Sequence, residues 1–223
     1  MPKLKPDIQR ARRDHILDAA EGCFARAGFH RTTIQDICKE AGVSPGALYV
    51  YFNSKQDLIA GICERDRAAF GERLAALEDA PDVLQALEDL GKHYFVHQPV
   101  YKNQLCLEIG LESARNPRVG EIHRSVDEFI TAGFERLFQR MLDEGRIAPD
   151  MDIPTLARVL SVIGDGMFWR RVVDPGFDGN TLVPATLQAL VGLLKPVLQQ
   201  EPVSLQQADP RTEAAPVRLG IDS

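Results

Sequence analysis

Apolar residues recur at three- and four-residue intervals along almost the whole chain, and no segment sustains the one-in, one-out alternation of a strand. That regularity confines the protein to helices, because such spacing lays one apolar stripe along a helix but scrambles both faces of a sheet. Ile16, Ala20, Phe24 and Ala27 mark a buried stripe on a first helix of about residues 7–28, which Gly28 stops. Pro81-Asp82 opens a later helix that runs to about His97, and Pro99 ends it. Further helices cover roughly 102–115, 118–144, 154–174 and 181–199, with Pro, Gly or Asn at most of the breaks. The pattern predicts an all-α protein of about nine helices joined by short connections.

The chain has 223 residues, 44% of them apolar, enough to bury a core without disulfides or metal. Its longest uncharged stretch, Gly179 to Leu194, is 16 residues and contains Pro184. A membrane-spanning helix needs about 20 apolar residues, so no membrane partner is expected. Asp7, Arg10, Arg12, Arg13 and Asp14 interrupt any apolar run near the start, which leads to the expectation of a cytoplasmic protein. Cys23, Cys38, Cys63 and Cys106 form no C-x-x-C pair, which argues against a disulfide framework or a structural zinc site. Residues 201–223 carry Pro202, Pro210 and Pro216 among small and polar residues and read as a disordered tail.

The net charge of −6 taken alone argues against a nucleic-acid partner, but the charge is unevenly placed. Residues 1–55 hold nine basic and six acidic side chains, a net of +3, whereas the remainder holds 17 and 26, a net of −9. A polyanion is therefore approachable only through the N-terminal part.

That part contains TTIQDICKEAGVSPGALYVYF, residues 32–52. Thr32 or Thr33 can cap a helix, with Gln35 or Asp36 three residues on completing a capping box. Ile34, Ile37, Cys38 and Ala41 give that helix one apolar face, Gly42 permits a sharp turn, and Val43 plugs the angle. Ser44 followed by Pro45 starts a second helix, which Leu48 and Phe52 bury. Its other face offers Gly46, Ala47, Tyr49, Val50 and Tyr51. Two short helices about a tight turn form a helix-turn-helix, whose second helix enters the DNA major groove. Ser54-Lys55 opens a further helix with Asp57 at the capping-box position, so that helix's N-terminus and the Lys55 ammonium together suit a phosphate.

Residues 10–62 resemble the DNA-binding domain of TetR-type transcriptional repressors, through G-F-x-x-T-T, I-x-x-x-A-G-V-S, G-x-L-Y-x-Y-F and S-K-x-x-L. Position by position, the resemblance implies phosphate contacts from Thr33, Tyr49, Tyr51 and Lys55. It places Ser44, Pro45, Gly46, Ala47 and Val50 near bases, with Arg31 and Lys39 flanking them. The start of the second helix has no Arg, Asn or Gln, the side chains that pair bidentately with guanine or adenine. Specificity is thus expected from thymine methyl contacts, backbone groups, tyrosines and DNA shape. Lys3, Lys5, Arg10, Arg12 and Arg13 offer further phosphate or minor-groove contacts.

The reading divides the chain into a helix-turn-helix domain, 1–55 (reading motif 33–52), and a larger helical effector-binding and dimerisation domain, 56–200. The last two helices are apolar over more than one face, with Leu156, Leu160, Ile163 and Met167 on one and Leu187, Leu190 and Leu194 on the other. Such helices must be covered on both sides. The resemblance implies that a second copy covers them, in a homodimer whose recognition helices lie ~34–36 Å apart and match a palindromic operator. Phe95, Leu105, Ile109, Phe134, Phe138, Met141 and Trp169 are the candidate walls of a pocket for a small effector, apolar or amphipathic. Arg170 and Arg171 read either as partners of an anionic effector or of Asp165 and Asp174, or as solvated charges.

His93 and His97 have a metal-compatible spacing, with Cys106 or Glu108 nearby in sequence, but no third ligand stands at diagnostic spacing. No nucleophile elbow, P-loop or H-E-x-x-H signature is present, so neither a catalytic residue nor a cofactor is expected. Taken together with the resemblance, these features point to a DNA-binding transcriptional regulator, a homodimeric repressor released by its effector and not an enzyme. The rival reading is an all-α small-molecule enzyme or a redox- or metal-responsive sensor.

Overall fold

The computed structural model describes residues 6–197. Its helices are α1 (Pro6–Ala27), α2 (Ile34–Ala41), α3 (Pro45–Tyr49), α4 (Lys55–Glu78), α5 (Val83–Lys92), α6 (Val100–Ser113), α7 (Pro117–Asp143), α8 (Ile153–Val173) and α9 (Gly179–Leu194). The segment expected to continue one helix to His97 is instead α5 followed by a π-helical turn, His93–His97. Arg171 of α8 holds that turn. Its guanidinium donates to the carbonyls of Tyr94 and Gln98 and, at 2.7 Å, to Asn103 Oδ1 of α6. Arg171 therefore ties together α8, the π-helical turn and α6.

The breaks follow the local chemistry. Asp82, Asn116, Asp152 and Asp178 each cap the helix they precede, accepting a backbone N–H two or three residues on. The last helix ends at Leu194, short of the expected Gln199, because Lys195 is left-handed (φ 49°) and Pro196 then pairs with Ile147 as an isolated bridge. Lys3, Lys5 and the tail, 201–223, lie outside the described residues.

Two apolar clusters organise the packing. One joins α1, α2, α3 and the start of α4 around Leu17, Phe24, Ile37, Leu48 and Ile62. It also recruits Leu105 and Ile109 of α6 and Val119 of α7, so helices of the C-terminal body (α5 to α9) complete the core of the N-terminal head (α1 to α3 with the start of α4). The other joins α4, α5, α7, α8 and α9 around Leu74, Leu137, Phe138, Leu156 and Leu194. The expected boundary after residue 55 falls at the N-terminus of α4, which is one unbroken helix through both clusters.

A buried ion network crosses the same junction. Glu21 of α1, 1% exposed, receives Arg65 of α4 on one carboxylate oxygen and Lys102 of α6 on the other. Asp18 pairs with Arg65 at 2.8 Å, and Asp66 lies 3.5 Å from Lys102. A carboxylate this buried is tolerable only when both oxygens are matched.

Candidate nucleic-acid interface

Each cap and turn needed to present α3 is in place. Thr33 is the N-cap of α2, its hydroxyl accepting from Asp36 N–H at 3.1 Å while the Asp36 carboxylate accepts from Thr33 N–H at 2.8 Å. The Thr33 hydrogen bonds also hold the Asp36 carboxyl below the usual aspartate range. Thr32 turns inward and donates to Gly28 O at 2.8 Å and Cys23 O at 3.1 Å. Gly42 adopts φ 61°, the left-handed region that lets α2 stop and the chain turn. Ser44 Oγ accepts from Ala47 N–H at 3.2 Å, and Pro45 begins α3.

The faces of α3 divide as the spacing predicts. Leu48 and Phe52 are buried, whereas Tyr49 is 50% and Val50 76% exposed. Ser44, Pro45 and Gly46 are also exposed, and Ala47 is half-buried. Tyr51 is half-buried against the head's core. Arg31, Thr33 and Lys39 lie exposed beside α2. The head therefore presents to solvent a surface of small and apolar groups flanked by hydroxyls and basic side chains.

Lys55 is placed differently from the expected phosphate clamp. Its ammonium turns inward onto Phe29 O (2.5 Å) and Thr32 O (2.9 Å), and it lies 4.4 Å from the centre of the Phe29 ring. Desolvation there lowers its pKa from the ordinary lysine value. The carbonyls come from 23 and 26 residues away, which no local pattern reveals. Two further contacts also lacked a local signal. His15 Nε2 lies 2.9 Å from Ala41 O at the end of α2, and Glu108 Oε1 accepts Phe29 N–H at 2.6 Å.

The candidate effector residues are not brought together. Leu105 and Ile109 belong to the head's core, and Phe134, Phe138 and Met141 to the body's core. Phe95 sits on the π turn, its ring 5.0 Å from that of Phe168, and Trp169 stands outside on α8. An open groove of about 700 Å³ lies elsewhere, between α1, α4 and α7. Its lining sets apolar Phe52, Ile122 and Val126 among six charged side chains, three basic (Arg13, Arg67, Arg118) and three acidic.

Of the expected dimer residues, Leu156, Met167, Leu190 and Leu194 point into the protomer's own core, while Leu160, Ile163 and Leu187 are half-buried. The outward face of α8 is a different stripe, Val162, Gly166, Trp169 and Val173. On α9 the outward face is Leu182, Ala185, Ala189 and Gly192.

Among the described residues no three His, Cys, Asp or Glu side chains converge as metal ligands. His93 has Arg73 and His97 near it, and desolvation lowers its pKa. Desolvation pushes the Cys63 thiol up to about 12. Cys106 is reachable by water yet crowded by the surrounding helices, which push its thiol to about 12 as well. Thiols so far from ionisation are poor redox sensors. No described helix is long and apolar enough to cross a membrane.

Residues 16–62 match the family model for bacterial regulatory proteins of the tetR family. Over 171 residues the chain is 32% identical to the HTH-type transcriptional regulator UidR of Escherichia coli K12, covering 72% of this chain and 81% of that protein. It is 29% identical to the HTH-type transcriptional repressor Rv1474c of Mycobacterium tuberculosis, over 76% of this chain and 87% of the other. Among solved structures, GusR of Salmonella enterica superposes with a TM-score of 0.70 at 29% identity, over 86% of this chain and 99% of that one.

Proposed function

Since the chain belongs to the tetR family of bacterial regulatory proteins and is a helix-turn-helix transcriptional regulator, we propose that it acts as a homodimeric repressor, binding a palindromic operator and leaving it when a small effector binds the body. The observation that carries the reading is α3. A capped, small-residue helix is held by Leu48 and Phe52 so that Tyr49 and Val50 face outward. Tyr49, Tyr51, Thr33 and Arg31 serve the phosphates, Gly46, Ala47 and Val50 approach base edges, and Ser44 and Pro45 fix the helix start. Lys39 flanks this surface, and Lys55 keeps the preceding loop in place.

The dimer pairs α8 and α9 of two copies through Val162, Trp169, Val173 and Leu182, which are exposed in the single chain. The open groove between α1, α4 and α7 is the candidate site for a small-molecule effector: its volume suits a small molecule, and its charged lining beside Phe52, Ile122 and Val126 suits an amphipathic effector better than a purely apolar one. An occupant there touches both the head and α7. It shifts DNA affinity only by its different affinity for the two arrangements, a coupling of about 1–3 kcal/mol.

Selection of genomic fragments by the purified protein at two salt concentrations tests the reading. One palindromic motif retained at the higher salt is the expected result. Retention of unrelated DNA alone, lost as salt rises, would end the site-specific reading. Tyr49→Phe removes one hydroxyl from an exposed ring and is expected to weaken binding to the selected fragment several-fold. Stability and oligomeric state should stay unchanged, as followed by fluorescence anisotropy and sedimentation. Unaltered affinity removes Tyr49 from the phosphate contacts.

A further inference from the structure

We infer that Glu108, on α6 in the body, is a positioning residue for DNA binding: it fixes the backbone of residues 28–33, the loop that carries Arg31 and the Thr33 cap. The loop is gripped from two sides. On one, Glu108 Oε1 accepts Phe29 N–H at 2.6 Å. On the other, Lys55 donates to Phe29 O and Thr32 O. Gly28 permits the close fit, having φ 79°, and a Cβ there would stand 2.9 Å from Glu108 Oε1. One turn further along α6, Glu112, 4% exposed, pairs at 2.8 Å with His30 Nε2. Two carboxylates of one body helix thus meet consecutive residues of a loop in the head.

The exposed side chains beyond this grip are the ones that reach DNA. Arg31 is anchored through Nε, at 2.9 Å from Ala27 O, and its side chain is exposed. Thr33 sits at the free N-terminus of α2. A phosphate contact gains from a loop already held in its binding shape, since ordering it on binding costs affinity. Glu108 touches no DNA itself and acts through Phe29.

The inference rests on the reading of Arg31 and Thr33 as phosphate contacts, and the experiment separates the two. The probe is a mixed-sequence duplex about three helical turns long, because non-specific binding reports phosphate contacts through its salt slope. Glu108→Leu is expected to weaken binding about tenfold and to make the slope shallower by about one per head, the loss of one phosphate contact. Glu108→Gln retains an acceptor oxygen and should bind within about twofold of the parent, a rescue set by its hydrogen bond. In the unsubstituted protein the Phe29 amide should exchange as slowly as amides inside α1.

Binding by Glu108→Leu with unchanged affinity and slope overturns the inference, as does fast exchange at Phe29 in the unsubstituted protein. Arg31→Ala, titrated alongside, should flatten the slope as well. If it does so while Glu108→Leu has no effect, the positioning role fails and the phosphate assignment stands. If Glu108→Leu weakens binding and Arg31→Ala does nothing, the Arg31 assignment fails and the positioning role stands.

Discussion

Replacing Val162 and Trp169 together by aspartate is expected to yield folded monomers whose operator affinity is about 10²–10⁴ lower than that of the parent. The loss is large because a dimer reads both half-sites and gains the second at high effective concentration, whereas a monomer holds a single head to one half-site. The fold should survive the change, since Val162 is 65% and Trp169 51% exposed in the single chain. Leu190→Asp is expected to behave differently: Leu190 is buried in the protomer's own core, so a charge there unfolds the chain. Sedimentation and circular dichroism distinguish the outcomes. A double variant that sediments as a normal dimer would refute the α8–α9 interface.

Phe138→Ala is expected to lower stability by about 3–5 kcal/mol, the usual cost of truncating a buried phenylalanine. Its ring is fully buried in the body's core, 6.1 Å from that of Phe134 and in a cluster with Leu137, Leu156 and Leu194. The corresponding fall in Tm is on the order of 10 °C for a chain of this size, compared at one protein concentration. Scanning calorimetry checks it. A Tm within about a degree of the parent would mean that Phe138 borders a space that readily relaxes, and would remove it from the close-packed core.

These variants also mark where sequence reading stops. The helix-turn-helix itself was legible because its determinants are local: Thr33 meets Asp36 three positions away, Gly42 turns, and Ser44-Pro45 restarts the helix. Each such group finds its partner within one helical turn, so the order of residues carries the geometry. The rough extents of the longer helices were legible for the same reason. The π turn was not, because it is held by Arg171, more than seventy residues away along the chain.

The body shows the converse. Periodicity marked α8 and α9 as apolar on several faces, but a buried side chain does not record whether its own chain or a second copy buries it. Only the packing separates Leu156 and Leu190, which face inward, from Val162 and Trp169, which face outward. Leu105 and Ile109 read equally well as pocket wall or core until α6 is seen completing the head.

The sequence by itself determined that the chain is helical, roughly where most of its helices break, and that a helix-turn-helix stands at its basic end. The tertiary structure alone decided which apolar stripe is left exposed, why Lys55 faces carbonyls, and that Glu108 reaches Phe29. The physical reason is range: caps, turns and periodicity act over a few residues, whereas burial and long-range hydrogen bonds depend on which distant helices come to lie side by side.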